Sequence, residues 1–424
     1  MMKSPLLRNI DIQDVPLQRR EALDPHTLAR AAEIIRDVRG GGENILRAYA
    51  ERFDGLSARD PLVLDRAALE DAYAATPAET RALLTRVAER IRRFAEAQRA
   101  CWRDLTIEIP GGSAGHVVHP LRTAGCYAPG GRYPLISSLL MTVVTARVAG
   151  VETIWAASPN PAPLMRAAAF IAGADALLAV GGAPAIAALA YGIGPAPACD
   201  VIAGPGNRWV TAAKHCVSAN VRIDMLAGPS ELLILADESG DPALIAADLL
   251  AQSEHDADAR PMLVCIGSSL IEAVERELTR QLETLPTRAT AEAALANGFV
   301  VHVRDAEEAL RLCEEIAPEH LELHVRDADR LAERIRNCGC LFIGSRSAET
   351  LGDYSAGPNH TLPTGGAARG TSGLSVYNFL RQHTWIRIDS AAGANALYYE
   401  AAALAHMEGL LAHASSAVMR IQSE

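Results

Sequence analysis

The feature of this sequence that most limits its fold is a rhythm in which short apolar runs of strand length alternate with segments of helical periodicity. Strands built from such runs have to be covered on both faces, and a mostly parallel sheet wrapped by helices is the arrangement that does so. The rhythm occurs twice. In residues 125–225 the runs 153–157, 176–180, 200–203 and 221–225 read as strands, separated by Ala-rich segments such as 164–171. The second stretch opens at Glu231 with Leu232, Leu233, Ile234 and Leu235, and continues through runs at 262–266, 299–303, 321–324 and 341–343. One intervening helix is legible residue by residue. Asp241 suits an N-cap, Pro242 the first helical position, and Leu244, Ala247, Leu250 and Ala251 form an apolar stripe that ends near His255.

A helix-rich segment, 25–102, precedes both stretches, and its Glu- and Arg-laced portion 78–99 predicts a long amphipathic helix. A tail from residue 376 carries a final helical pattern over 396–421, and no repeat of fixed period is visible. The expected fold is therefore α/β: two Rossmann-like doubly wound domains with a helical N-terminal segment and a C-terminal helical tail. The expected divisions are an extension at 1–24, one α/β domain made of 25–118 plus 231–375, a second at 119–230, and the tail at 376–424.

At 424 residues the chain exceeds one simple core. A net charge of −11, with 21% charged and 49% hydrophobic residues, fits a soluble globular protein and argues against nucleic acid as a partner. The eight cysteines show no CxxC spacing and read as buried thiols. No apolar run approaches the roughly 20 residues of a bilayer span, and residues 1–20 are charged rather than signal-like. No membrane association and a cytoplasmic location are expected.

Polar residues interrupt the pattern at four places. Gln252 and His255 stand three apart at the end of the helix just described, so they share a face. Glu319 and His320 stand immediately before an apolar strand, where a turn lets both face one cavity and exchange protons. The stretch 351–366, rich in Gly and Pro, carries Asp353, Asn359 and His360 and reads as a loop of the kind on which sites are built. Glu408 and His413 lie in the final helical pattern. Taken singly, the first and last of these also read as a solvated helix face, the second as a solvated turn and the third as a flexible lid without chemistry. Two further segments, 125–131 with Tyr127 and 203–207 with Asn207, are plausible nucleotide loops, although neither matches GxGxxG.

Taken in this order, these segments resemble the histidinol dehydrogenase family, and the similarity runs from about residue 120 to 413. The stretches that carry it are 127–131, 204–207, 227–231, Gln252 with Glu254 and His255, 317–321, 352–364 and 408–413. The resemblance implies one Zn2+ per subunit held by Gln252, His255, Asp353 and His413, and NAD bound to the 119–230 domain with Tyr127 and Asn207 in contact. It makes 25–118 plus 231–375 the catalytic domain and Glu319 and His320 the catalytic pair. Ser230, His360 and Glu408 join His320 and the four metal ligands as substrate contacts. It also implies a homodimer whose tail, 376–424, carries Glu408 and His413 into the partner's site. The ligand set has two nitrogen and two oxygen donors and no thiolate, which favours zinc, with manganese or cobalt as alternatives, in a site that exchanges ligands.

The implied reaction is the oxidation of L-histidinol through the aldehyde to L-histidine, with His320 taking the alcohol proton and Glu319 activating water for the second step. The chain departs from the family at Pro184, where many members carry Gln, and proline offers neither a side-chain hydrogen bond nor an N–H. Residues 130–134, with Arg132, also resemble relatives that oxidise other small alcohols such as sulfopropanediols. Two alternatives therefore stay open: a paralogue with the same metal and hydride chemistry, and a non-catalytic metal- or nucleotide-binding module, against which the Glu319–His320 pair argues.

Overall fold

The computed structural model describes residues 5–17, 23–130 and 134–422, so the expectation placed on Arg132 and residues 1–4 and 18–22 of the 1–24 extension lie outside the described residues. In chain order the elements begin with β1 (Arg8–Asn9), α1 (Pro25–Asp54), β2 (Val63–Asp65), α2 (Arg66–Ala75), α3 (Ala78–Ala100), β3 (Leu105–Ile109) and β4 (Gly112–Pro120). Next come β5 (Thr123–Tyr127), α4 (Ile136–Ala149), β6 (Thr153–Ala157), α5 (Pro163–Ala172), β7 (Ala176–Leu178), α6 (Gly182–Tyr191), β8 (Val201–Ala203), α7 (Arg208–Val217) and β9 (Arg222–Ile223). The second half continues with β10 (Glu231–Ala236), α8 (Pro242–Ser253), β11 (Arg260–Ile266), α9 (Ser269–Leu282), α10 (Arg288–Leu295), β12 (Phe299–Val303), α11 (Ala306–Ile316), β13 (His320–His324), α12 (Ala328–Ala332), β14 (Cys340–Ile343) and α13 (Glu349–Tyr354). The chain closes with β15 (Leu380–Ile388), α14 (Asn395–Met407) and α15 (Leu411–Val418).

Contacts divide the chain into two compact units, Met1–Glu96 with Leu121–Phe379, and Ala97–Pro120 with Leu380–Glu424. Among the described residues the first unit holds two six-stranded sheets, ordered β2-β7-β6-β5-β8-β9 and β1-β12-β11-β10-β13-β14. The two orders are the same. In each sheet the chain starts at a central strand, steps twice to one side, then returns across to the other, and an early strand is added at the far edge. All pairings are parallel except β2 with β7. The central strands β10 and β11 are apolar on both faces, and β10 shows why. Leu232, Ile234 and Ala236 pack with Ile245, Leu249 and Val274 of α8 and α9 on one face, while Leu233 and Leu235 pack with Leu310 and Cys313 of α11 on the other. The expected α8 is observed, with Asp241 accepting the Ala243 N–H and Pro242 at its start.

The N-terminal helices pack on the first sheet: α1 lies against α6 and α7, α2 against α5, and β2 pairs with β7. The sequence had placed 25–118 with 231–375; it is the apolar face of α1, through Ile34, Ile35, Val38 and Leu46, that joins the core of the 119–230 half instead. Within α1, Gly42 adopts φ 63° and ψ −147°, a left-handed conformation that kinks the helix and is open to glycine.

The second unit is a three-stranded antiparallel sheet, β15-β4-β3, with α14 and α15. Neither this sheet nor the break in the tail was foreseen. The expected helix over 396–421 is two helices, because Gly409 turns the chain with φ 76°. Its buried cluster is thin, Ala402, Ala405 and Ala414, while Ile386, Leu404, Met407, Leu411 and Met419 are all exposed. All eight cysteines are free and only Cys101 is exposed. Among the described residues no helix is long and apolar enough to cross a membrane.

Candidate active site

In the β10–β14 sheet the helices run back against the strands, so their C-terminal ends return to the edge from which the strands start. That geometry gathers the polar residues. Gln252 is in the last turn of α8 and His255 just beyond it, Glu319 follows α11, and Asp353 lies in the last turn of α13. Helix C-termini carry partial negative charge, so this edge suits a cation. At the end of α11, Ala317 takes a left-handed conformation with φ 50° and Pro318 stops the helix, which delivers Glu319 and His320 directly to the start of β13.

Register then fixes the dyad. Leu232 of β10 lies opposite His320 of β13, which sets the Glu231 peptide beside both side chains. Its N–H donates to Glu319 Oε2 at 2.9 Å, and its carbonyl is 3.2 Å from His320 Nδ1. A carbonyl only accepts, so Nδ1 carries the proton and Nε2 the lone pair. The Glu231 side chain is itself tied down, accepting the Gly365 N–H at 2.9 Å and facing Arg260 at 3.5 Å.

Asp353 is the hub of the cluster. Its carboxylate lies 3.5 Å from His255 Nε2, 3.9 Å from His320 Nε2 and 3.9 Å from His360 Nδ1, and Glu349 Oε1 lies 3.6 Å from His320 Nδ1. Burial opposes ionisation of Asp353, but the His255 hydrogen bond and the fields of His360 and His320 outweigh it and hold the carboxyl below its ordinary value. Burial lowers His320 to about 4 against the pull of Asp353, so its imidazole is neutral at working pH. Burial pushes Glu319 well above the carboxylate range, and it does the same to Glu349, where the charges of Asp353 and Glu322 add to it. The Asp353 contact raises His255, and burial lowers His360.

The residues present fit a metal ion. Ligand atoms of His255, Glu349 and Asp353 all lie within 4.8 Å of one another. Gln252 is wholly buried, and neither of its amide atoms has a hydrogen-bond partner among the described residues. An orphaned buried amide is costly, and a bound cation satisfies its oxygen. Nitrogen and oxygen donors without thiolate form the chemistry of a borderline, exchangeable site.

Behind this cluster a second one, Asp248, Glu322 and His324, is buried against it. His324 Nε2 lies 3.3 Å from Glu322 and 3.7 Å from Asp248, and burial with the Glu322 charge pushes Asp248 up to about 7.

Ser230 sits half-buried immediately before β10, its carbonyl accepting the Arg260 N–H at 3.0 Å. Tyr127 ends β5, is buried, and its hydroxyl accepts the Gly182 N–H at 3.1 Å. Asn207 caps α7 through its side-chain oxygen, which accepts the Trp209 and Val210 N–H groups. Tyr127 at the end of β5 and Asn207 after β8 lie at the neighbouring strands where the first sheet reverses direction, where α/β sheets place their ligands. Pro184 is buried within α6. Glu408 and His413 belong to the second unit, Glu408 closing α14 and His413 within α15, and both are exposed.

Sequence reasoning missed Glu349, Glu322 and the Glu231 peptide. Glu349 was findable: it stands four residues before Asp353, on the same helical face, but residues 351–366 read as loop, whereas α13 extends through Tyr354.

A family model described as histidinol dehydrogenase matches residues 17–421. A histidinol dehydrogenase of Chromobacterium violaceum is 44% identical over 409 residues, 95% of this chain and 94% of that protein. One of Thermus thermophilus is 44% identical, covering 94% and 96%. The chain belongs to the histidinol dehydrogenase family. The crystal structure of histidinol dehydrogenase from Elizabethkingia anophelis superposes with a TM-score of 0.92 at 29% identity, covering 98% of each chain. As a member of the histidinol dehydrogenase family the chain is an enzyme, an oxidoreductase of histidine biosynthesis, and the expected α/β architecture is the family's own.

Proposed function

We propose that this chain oxidises L-histidinol, through L-histidinaldehyde, to L-histidine, with two NAD molecules as hydride acceptors and one zinc ion per subunit. The observation that carries the reading is a buried, neutral imidazole with its Nε2 lone pair free, next in sequence to a buried carboxyl, beside the donor set around Asp353. Gln252, His255 and Asp353, with His413 from the partner subunit's tail, would hold the metal, which when bound supplies positive charge that anchors an alcohol bearing an imidazole and an amine. NAD supplies the hydride acceptor, and Tyr127 and Asn207 are its proposed contacts.

His320 Nε2 accepts the hydroxyl proton as hydride departs. The Glu231 carbonyl holds Nδ1–H, so the imidazole has one orientation and one basic nitrogen. In the second step water adds to the aldehyde. Glu319 takes the water proton on its free oxygen, Oε2 being held by the Glu231 N–H, and its raised affinity for a proton suits that role. Ser230, His360 and Glu408 orient the substrate. The exposed apolar side chains of the second unit support a homodimer in which Glu408 and His413 serve the neighbouring site, and the enzyme works in the cytoplasm.

Glu319→Gln tests the division of labour. Oxidation of histidinaldehyde is expected to fall about 10²- to 10⁴-fold while its reduction by NADH is largely spared. Equal loss in both directions refutes it. Chelation is expected to abolish turnover of L-histidinol, and zinc to restore it. The buried Pro184, with no side-chain hydrogen bond and no N–H to offer a cofactor, favours a second reading in which another small alcohol is the substrate. NADH production from L-histidinol set against polyols and sulfonated diols decides between them.

A further inference from the structure

The segment 349–354 carries both Glu349 and Asp353, yet its own N-terminal residue provides no cap: Ala348 has no side chain able to accept a hydrogen bond. The acceptor comes from elsewhere in the fold. Glu322, in β13 two residues beyond His320 and wholly buried, accepts the Glu349 N–H through Oε1 at 2.7 Å. Two residues apart on a strand, His320 and Glu322 point to the same face, so one strand presents both the base and the anchor. The other carboxylate oxygen faces His324 Nε2 at 3.3 Å, and His324 in turn faces Asp248 of α8 at 3.7 Å. α8 is the helix that carries Gln252. A wholly buried carboxylate is expensive unless paired and hydrogen-bonded, and here it has one backbone donor and one imidazole neighbour.

We propose that Glu322 is a positioning residue of the metal centre: it clamps the Glu349 peptide and so presets Glu349 and Asp353 before any ion arrives. The proposal rests on the reading of Asp353 as a metal ligand. Groups that orient ligands without touching the metal have measurable weight, because a ligand that must be ordered on binding binds more weakly.

The test uses the full-length chain stripped of metal and titrated with zinc against a chromogenic chelator. Glu322→Leu, which fills the space without accepting, is expected to weaken zinc binding by about 10- to 100-fold. Glu322→Gln keeps an acceptor oxygen and is expected to bind as the wild type does. Leu278→Ala, a core truncation in α9, is expected to destabilise the fold without moving zinc affinity. Zinc affinity unchanged in Glu322→Leu overturns the proposal, and so does a Gln variant as weak as the Leu variant. A second measurement needs no variant and no metal. Hydrogen exchange resolved at the Glu349 amide in metal-free wild type is expected to show protection, and unprotected exchange at that amide that zinc alone suppresses overturns the clamp. A wild type that binds no zinc but keeps that protection sinks the metal reading and leaves the clamp standing.

Discussion

Beneath the loop at 204–207 lies a buried ion pair whose removal has a calculable cost. Lys214 of α7 and Asp224 face each other with side chains 4% and 0% exposed. Both also hold Gly204: Asp224 Oδ2 accepts its N–H at 2.8 Å and Lys214 Nζ donates to its carbonyl at 3.0 Å. Lys214→Met, of similar length, removes the cation and one donor while leaving the carboxylate buried. Breaking a buried pair from one side costs about 3 to 5 kcal/mol. Adding Asp224→Asn discharges the stranded carboxylate and keeps an acceptor for the Gly204 N–H, so the double variant is expected to recover about 1 to 3 kcal/mol of that loss. The Gly204 carbonyl still lacks its donor, so recovery stays partial. Urea denaturation followed by tryptophan fluorescence reads the stability of the wild type and of both variants. In functional assays the loop that carries Asn207 loosens, and KM for NAD is expected to rise more than kcat falls. A single variant within 1 kcal/mol of the wild type, or a double variant no more stable than Lys214→Met, refutes the reasoning, since about 1 kcal/mol is the scale of an exposed pair.

Two other outcomes follow from the same half of the molecule. Burial lifts the Asp54 carboxyl to about 6 against the opposing Gly181 N–H. The folded state therefore holds this proton more tightly than the unfolded chain, and stability falls as pH rises from about 4 to about 6 and stays lower above that. Asp54→Asn, which keeps an acceptor for Gly181, is expected to raise stability by about 1 to 2 kcal/mol at pH 8 and not at pH 4, the full shift of about 3 kcal/mol being discounted for partial exposure. Thermal unfolding at the two pH values checks it, and a gain equal at both contradicts it. Gly204 has φ 127°, and an added Cβ would meet the Tyr127 carbonyl oxygen at 2.0 Å. Gly204→Ala is expected to lose at least 1 to 3 kcal/mol, roughly the cost of a strained backbone, with NAD affinity falling in parallel by calorimetry.

The polar landmarks of the site were legible as residue types and not as a constellation. Gln252 and His255 announced themselves by helical spacing, and Glu319 with His320 by standing at a turn before an apolar strand. Asp353 was visible inside a stretch that read as loop, because Gly352, Gly357 and Pro358 obscure the short helix that carries it. Glu322 was invisible, since a lone glutamate in a strand reads as a solvated face until the fold buries it, and Glu349 is findable only once the helix it shares with Asp353 is recognised. The tail read as one helix for a similar reason: a single Gly409 in an Ala-rich run does not reveal that its φ is positive.

What the sequence determined by itself is local: the alternation of strands and helices, the start of α8 at Asp241, and the residue types on which chemistry can rest. Those follow from interactions within one or two turns of the chain. Only the tertiary structure decided that both sheets share one strand order, that α1 packs on the first of them, and that the Glu231 peptide meets Glu319 and His320 across β10 and β13. Such pairings join residues about ninety positions apart, and they are selected by the burial of whole apolar faces, a property of the packed molecule that no local window of sequence contains.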